Sequence, residues 1–366
     1  MPETHDRHWE YSAHIYSALQ ERTAPLLKGK NVQLCVTGGI AKRQCTPRSD
    51  LDLLAIFESS NDYENEAHEL REGISQLDLK HPVEFYPFAP VRDWLWMAEH
   101  SQLFCSDLLW ARPVAGQKSL LQNLRRTMRR YGYDKQNQYS YFVYNLLYRE
   151  RQVRNHPTDL KYMRGGLRDT DLLRWIAWRM AGARSHEPGK YLSQLASKSF
   201  VERNTVPFLA SHTQRVFEEK WNAEEGGFAQ SAIRPDDARR VWDITDDIKM
   251  NVLKVLAIEK GEKWLRSIRR ARADDLSDVD RQKMLNSDDE SLAFCALWDA
   301  DNTDLLEEGL NRYRDFWLIR AAVALNSNSS PQMLDEIDAL PYCDMDDIHM
   351  FTQRTRKAAD DLFQKT

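Results

Sequence analysis

Two aspartates spaced two residues apart, Asp50 and Asp52, open the apolar run Leu51–Phe57 (LDLLAIF). On a strand this spacing puts both carboxylates on one face. Like charges this close call for a countercharge, and a divalent cation supplies it with oxygen ligands alone. Taken alone, the pair also fits an ordinary solvated strand edge. Upstream, Gly38-Gly39 ends the apolar run Val32–Thr37 and opens a short helix. Glycines at such a turn let backbone N–H groups approach a phosphate. Lys42, one turn further, adds a point charge for the same anion. A phosphate cradle beside an acidic pair is the equipment of metal-assisted nucleotide chemistry. A further carboxylate is expected to complete the acidic set. Glu84, inside VEFYPF, is the best placed, ahead of Asp62 and Asp78 at expected helix ends.

The elements around these residues read as a small α/β unit. The apolar spacing of Tyr11, Ile15, Leu19 and Leu26-Leu27 predicts a helix over 9–28, and 62–77 reads as another. Val32–Thr37, Leu51–Phe57 and Val83–Phe88 read as strands, the last bounded by Pro82 and Pro87. From residue 91 onward the pattern is helical almost throughout. The basic, tyrosine-rich stretch 119–155 reads as helix with one solvated and one packed face. Residues 182–190 read as a linker and 191–270 as further helices, with a loop near Glu224–Phe228. Near the end, Cys295–Glu308 resembles Val323–Glu336 at an offset of 28, the pattern of stacked helical hairpins.

Composition narrows the class. The chain has 366 residues with 51 Lys+Arg against 56 Asp+Glu, a net charge of −5, which argues against a whole-surface nucleic-acid binder. No long uncharged apolar run appears, so no membrane partner is expected. The polar N-terminus lacks a signal pattern. The five cysteines show no C-x-x-C and an irregular spacing, which fits a reducing cytoplasm rather than a disulfide framework.

The spacing of Gly38-Gly39 to Asp50-x-Asp52 between two strands resembles the nucleotidyltransferase (polymerase-β-like) superfamily. The fuller segment GGIAKRQCTPRSDLDLL, with Lys42, Pro47 and Ser49 in place, is similar to the transferase domain of bacterial PII uridylyltransferases. A second segment, DLKYMRGGLRDTDLLRWIAW (Asp159–Trp178), resembles the Gly-Gly-Leu-Arg-Asp element they share with the adenylyltransferases of glutamine synthetase. Glu150-Arg151-x-x-Arg154 and LLWARPVAG (Leu108–Gly116) stand at family-like spacing. The resemblance covers roughly residues 30–180.

The resemblance implies transfer of a nucleoside monophosphate, UMP or AMP, from an NTP to a protein hydroxyl, with release of pyrophosphate. It implies Mg²⁺, two ions, with Mn²⁺ as a substitute, on Asp50, Asp52 and Glu84. Gly38, Gly39, Lys42 and Ser49 would hold the nucleotide, and Lys161, Arg168 and Asp169 would close over it. The expected fold is α+β: a small mixed-sheet nucleotidyltransferase domain (1–118), a helical region completing the site (119–190), and an all-helical, HEAT-like region (191–366) that docks the acceptor. The chain departs from the family at Ala41, Arg43 and Gln44, and the family's later HD-type and ACT-type modules find no counterpart. A catalytically silent nucleotide-binding scaffold, or transfer to RNA or a small molecule, are the competing expectations.

Overall fold

A computed structural model describes residues 4–59, 63–155, 159–183, 185, 187–222, 233–340, 352–353 and 355–356. In chain order the elements are α1 (Thr4–Thr23), β1 (Val32–Val36), α2 (Gly38–Ala41), β2 (Leu51–Phe57), α3 (Tyr63–Ser75), β3 (Val83–Pro90), α4 (Val91–His100), α5 (Gln102–Trp110) and β4 (Arg112–Gly116). Then come α6 (Leu120–Tyr131), α7 (Tyr133–Asn155), α8 (Leu167–Ala181), α9 (Pro188–Ser197), α10 (Val206–Asn222), α11 (Pro235–Lys260), α12 (Glu262–Arg272), α13 (Asp278–Leu285), α14 (Glu290–Leu297), α15 (Thr303–Tyr313), α16 (Trp317–Leu325) and α17 (Pro331–Asp338). The fold is α+β, a small mixed sheet with a large helical remainder, as the sequence leads one to expect.

The sheet runs in the order β3-β2-β1-β4. β1 pairs antiparallel with β2 and β4, while β2 and β3 are parallel. Hydrophobic content follows position. Central β1 is buried at all five residues, and β2 at every residue but Asp52, because strands covered on both faces need apolar side chains on both. One face packs on α1 and α3 through Leu34, Val36, Leu53, Leu19 and Leu70.

Three element boundaries differ from the sequence reading, each for a local reason. The first helix ends at Thr23 rather than at residue 28. Pro25 lacks an N–H donor, and Ala24–Leu27 forms a 3-10 turn. The third strand does not stop at Pro87 but runs through it to Pro90. The register steps from Leu53↔Phe85 to Ala55↔Phe88, so Tyr86-Pro87 forms a bulge on an edge strand, where a missing N–H is tolerated. The 119–155 stretch is two helices, broken at Gly132 with φ +77. The expected linker 182–190 gives its last residues to α9, with residues 184 and 186 outside the described residues; the expected loop at Glu224–Phe228 also lies outside them.

The chain forms two compact units. The first comprises Met1–Leu95, Ser106–Tyr131 and Tyr148–Val255; the second comprises Trp96–Cys105, Gly132–Leu147 and Leu256–Thr366. The second unit alternates α14 and α16, apolar apart from Glu290, Ser291 and Arg320, with the amphipathic α15 and α17. Asn302 and Ser330, 28 residues apart, cap α15 and α17 by accepting from backbone N–H groups, and Asn326 Nδ2 donates to Leu297 and Ala300 carbonyls. Cys35, Cys45, Cys105 and Cys295 are buried thiols outside any disulfide; Cys343 lies outside the described residues. Among the described residues no helix is long and apolar enough to cross a membrane.

Candidate functional site

Strand register assembles the acidic group. Asp52, the second residue of β2, stands opposite Glu84 on parallel β3. Asp50 precedes the strand by one residue. One carboxylate oxygen from each of Asp50, Asp52 and Glu84 lies within 4.8 Å of the others. Among the described residues this is the one such group of three or more His, Cys, Asp or Glu side chains. Asp78 is exposed and stands apart from it, its carbonyl accepting from Arg22. Asp62 lies outside the described residues.

The diglycine turn is shaped around Asp52. Gly38 has φ +56, and a Cβ there would lie 1.6 Å from Asp52 Oδ2, so any side chain would push the Asp52 carboxylate from its place. A Cβ on Gly39 would meet only ordinary contacts near 3.8 Å. Thr37 N–H donates to the Asp52 carbonyl at 2.9 Å, and Thr37 Oγ1 donates to Asp107 Oδ1 at 3.1 Å. Asp107, on α5, is thereby a fourth carboxylate near the group, which the sequence reading missed. Burial, then the charges of Asp50, Glu84 and Asp107, push Asp52 up to about 7, against the pull of Lys42. An all-oxygen set whose members repel one another suits a hard divalent cation such as Mg²⁺.

Beside it lies a cationic cluster. Lys42 Nζ is 3.7 Å from Asp171 Oδ2. Arg174 Nη1 donates to the Lys42 carbonyl at 2.9 Å, and Lys220 Nζ, from α10, donates to the Gln44 carbonyl at 2.9 Å. Burial raises the Asp171 pKa, but the combined fields of Lys42, Arg174, Arg168 and Lys220 outweigh it and leave Asp171 below the usual carboxylate range. Four cations facing one carboxylate leave a positive excess near the acidic group. Asp171, Arg174 and Lys220 were not read from the sequence. Asp171 and Arg174 lie just past the Gly-Gly-Leu-Arg-Asp element, and nothing marked Lys220, which is remote in sequence. Ser49, expected to touch nucleotide, braces its own loop: its Oγ accepts from Thr46 N–H at 3.0 Å.

The second motif divides between core and site. A Cβ on Gly165 would meet the Ala238 carbonyl at 2.8 Å, and one on Gly166 the Leu160 carbonyl at 2.3 Å, so both glycines are required by packing. Asp169, expected to face the nucleotide, is wholly buried. It accepts from Arg149 Nε at 3.0 Å, Arg149 Nη2 at 3.2 Å and Gly165 N–H at 2.7 Å. With its oxygens taken, it holds the turn. Arg168 reaches the field of Asp171. Lys161 lies against Tyr162, its ammonium 5.3 Å from the ring centre. Leu108–Gly116 forms the end of α5 and β4. The side chains of Glu150, Arg151 and Arg154 lie outside the described residues.

No protein-family model matches the chain. Among curated proteins, it is 29% identical over 200 residues to a bifunctional uridylyltransferase/uridylyl-removing enzyme of Haemophilus influenzae strain Rd, covering 48% of this chain and 22% of that one. It is 26% identical over 203 residues to the enzyme of the same description from Pasteurella multocida, covering 52% of this chain and 22% of that one. The chain thus spans about a fifth of the length of the curated relatives it matches. Over about half its length it is a distant relative of bacterial uridylyltransferases, which supports a kinship with nucleotidyltransferases.

Proposed function

We propose that this protein is a Mg²⁺-dependent nucleotidyltransferase that moves a nucleoside monophosphate, UMP or AMP, from an NTP to a protein hydroxyl. The observation that carries the reading is the strand register that gathers Asp50, Asp52 and Glu84 within 4.8 Å beside a glycine whose missing Cβ leaves room for the Asp52 carboxylate. These carboxylates would hold the ion, which when bound supplies charge neutralisation and orients the phosphates. The chain's own part is positioning. Gly38 leaves the space that Asp52 occupies. Lys42, Arg168 and Lys220 place positive charge where a triphosphate needs it. The acceptor oxygen bonds to the α-phosphorus as the α–β bridge breaks. Pyrophosphate leaves and the hydroxyl proton is released.

Asp50→Asn is expected to lower transfer by on the order of a thousandfold or more while leaving the melting temperature near that of the parent. The measurement is labelling of lysate proteins from α-³²P NTPs, followed by mass spectrometry of the labelled species. Labelling by the variant as strong as that by the parent would overturn the reading. One observation favours a second reading, a nucleotide-binding scaffold without turnover: Lys42, expected on the triphosphate, is engaged by Asp171. Calorimetry showing NTP–Mg²⁺ binding without pyrophosphate release would select it.

A further inference from the structure

α1 carries Trp9 and Tyr16, seven residues and about two turns apart, so their rings share one side of the helix. Each ring is covered by an arginine from another element. The Arg43 guanidinium lies 3.3 Å from the Trp9 ring centre, and that of Arg112, on β4, lies 4.1 Å from the Tyr16 ring centre. A third, Arg174, lies 5.1 Å from the ring centre of Trp110, two residues before Arg112, and its bond to the Lys42 carbonyl ties it to the loop that bears Arg43. Stacking on an aromatic face fixes a guanidinium's plane and leaves its N–H edge to donate.

In a chain with five more acidic than basic side chains (56 − 51), arginines ordinarily find carboxylates. Among the described residues Arg43 and Arg112 make no ion pair, and Arg43 Nε is buried without a hydrogen bond. Burial, then the fields of Arg112 and Arg174, hold Arg43 below its ordinary value. These guanidiniums repel one another and await an anion.

We propose that Arg43 and Arg112, backed by Trp9 and Tyr16, form a docking strip for an acidic segment of the protein acceptor, an inference that rests on the protein-hydroxyl reading above. The forked N–H edges match carboxylates two at a time. A nucleic-acid strand fits less well. The Trp9 and Tyr16 faces that bases would stack on are already taken by guanidiniums.

The test is fluorescence anisotropy with a labelled deca-glutamate peptide in EDTA at low salt, using the full chain. The parent is expected to bind, with affinity falling as salt rises. Arg43→Ala/Arg112→Ala is expected to bind about tenfold more weakly. Arg43→Lys/Arg112→Lys, which keeps the charge but loses fork and stack, should fall between the two, and it stands in where the alanine pair fails to fold. The proposal is overturned if the parent does not bind, if the substituted chains bind like the parent, or if a single-stranded oligonucleotide of equal charge binds more tightly than the peptide. Asp50→Asn is expected to bind the peptide unchanged. Peptide binding without any transfer by the parent would sink the transferase reading alone, and transfer without peptide binding would sink the strip alone.

Discussion

Asp52 stands at the point of highest electrostatic tension in the site. Its folded-state pKa of about 7 lies above the ordinary 3.8, so the metal-free folded protein favours the protonated form. Stability from this residue is then fully present below about pH 4 and is lost as pH rises through 7. In EDTA, urea melts from pH 5 to pH 8 should therefore show the parent losing stability relative to Asp52→Asn, which has no contribution from this source. Equal slopes for the two proteins would contradict this assignment. The spacing of Asp50 and Asp52 was legible because alternation along a strand is a local property. Asp107 was not, since its approach to Asp52 depends on how α5 lies on the sheet.

The Gly-Gly-Leu-Arg-Asp turn shows what one element asks of its residues. Asp169 and Arg149 form a fully buried, forked pair, and Arg149 also donates to the Tyr162 and Met163 carbonyls. Truncating either partner leaves the other charge buried. Asp169→Ala is expected to destabilise the fold by about 3–5 kcal/mol, read from chemical melts. A loss of transfer with an unchanged melt would instead return Asp169 to the nucleotide. The motif was visible in the sequence, but its division of labour was not. A helix-start Asp reads alike whether it faces solvent, ligand or a buried arginine, and Arg149 lies 20 residues away. The proline in β3 gives the same lesson, because Pro87 reads as a strand end until the sheet order places β3 at an edge.

Across the first unit, two buried histidines fasten distant parts of the chain. The His8 ring contacts the carbonyls of Cys45 and Phe217, and His212 Nε2 donates to the Gly165 carbonyl at 2.7 Å. Burial, partly offset by these hydrogen bonds, lowers both below 6.5. The unfolded chain takes up protons near 6.5 that the folded chain refuses, so stability is full above about pH 6.5 and falls as pH drops below it. In the Asp52→Asn background, which removes the opposing slope, melts should weaken by up to ~1.4 kcal/mol per pH unit per histidine between pH 6.5 and the lowered value. A flat profile would mean that neither histidine resists its proton.

The sequence by itself determined the α+β class, the three strands around the acidic pair, the glycine turn and the choice of Glu84 as the third candidate carboxylate. Each follows from period, punctuation or spacing over a few residues, where local sterics and burial decide. Tertiary structure alone decided that Glu84 stands opposite Asp52, that Asp169 belongs to the core, and that Lys220 joins the cluster beside Lys42. Those outcomes depend on strand register and helix placement. Both are set by the packing of apolar faces far apart along the chain, and no local spacing encodes them.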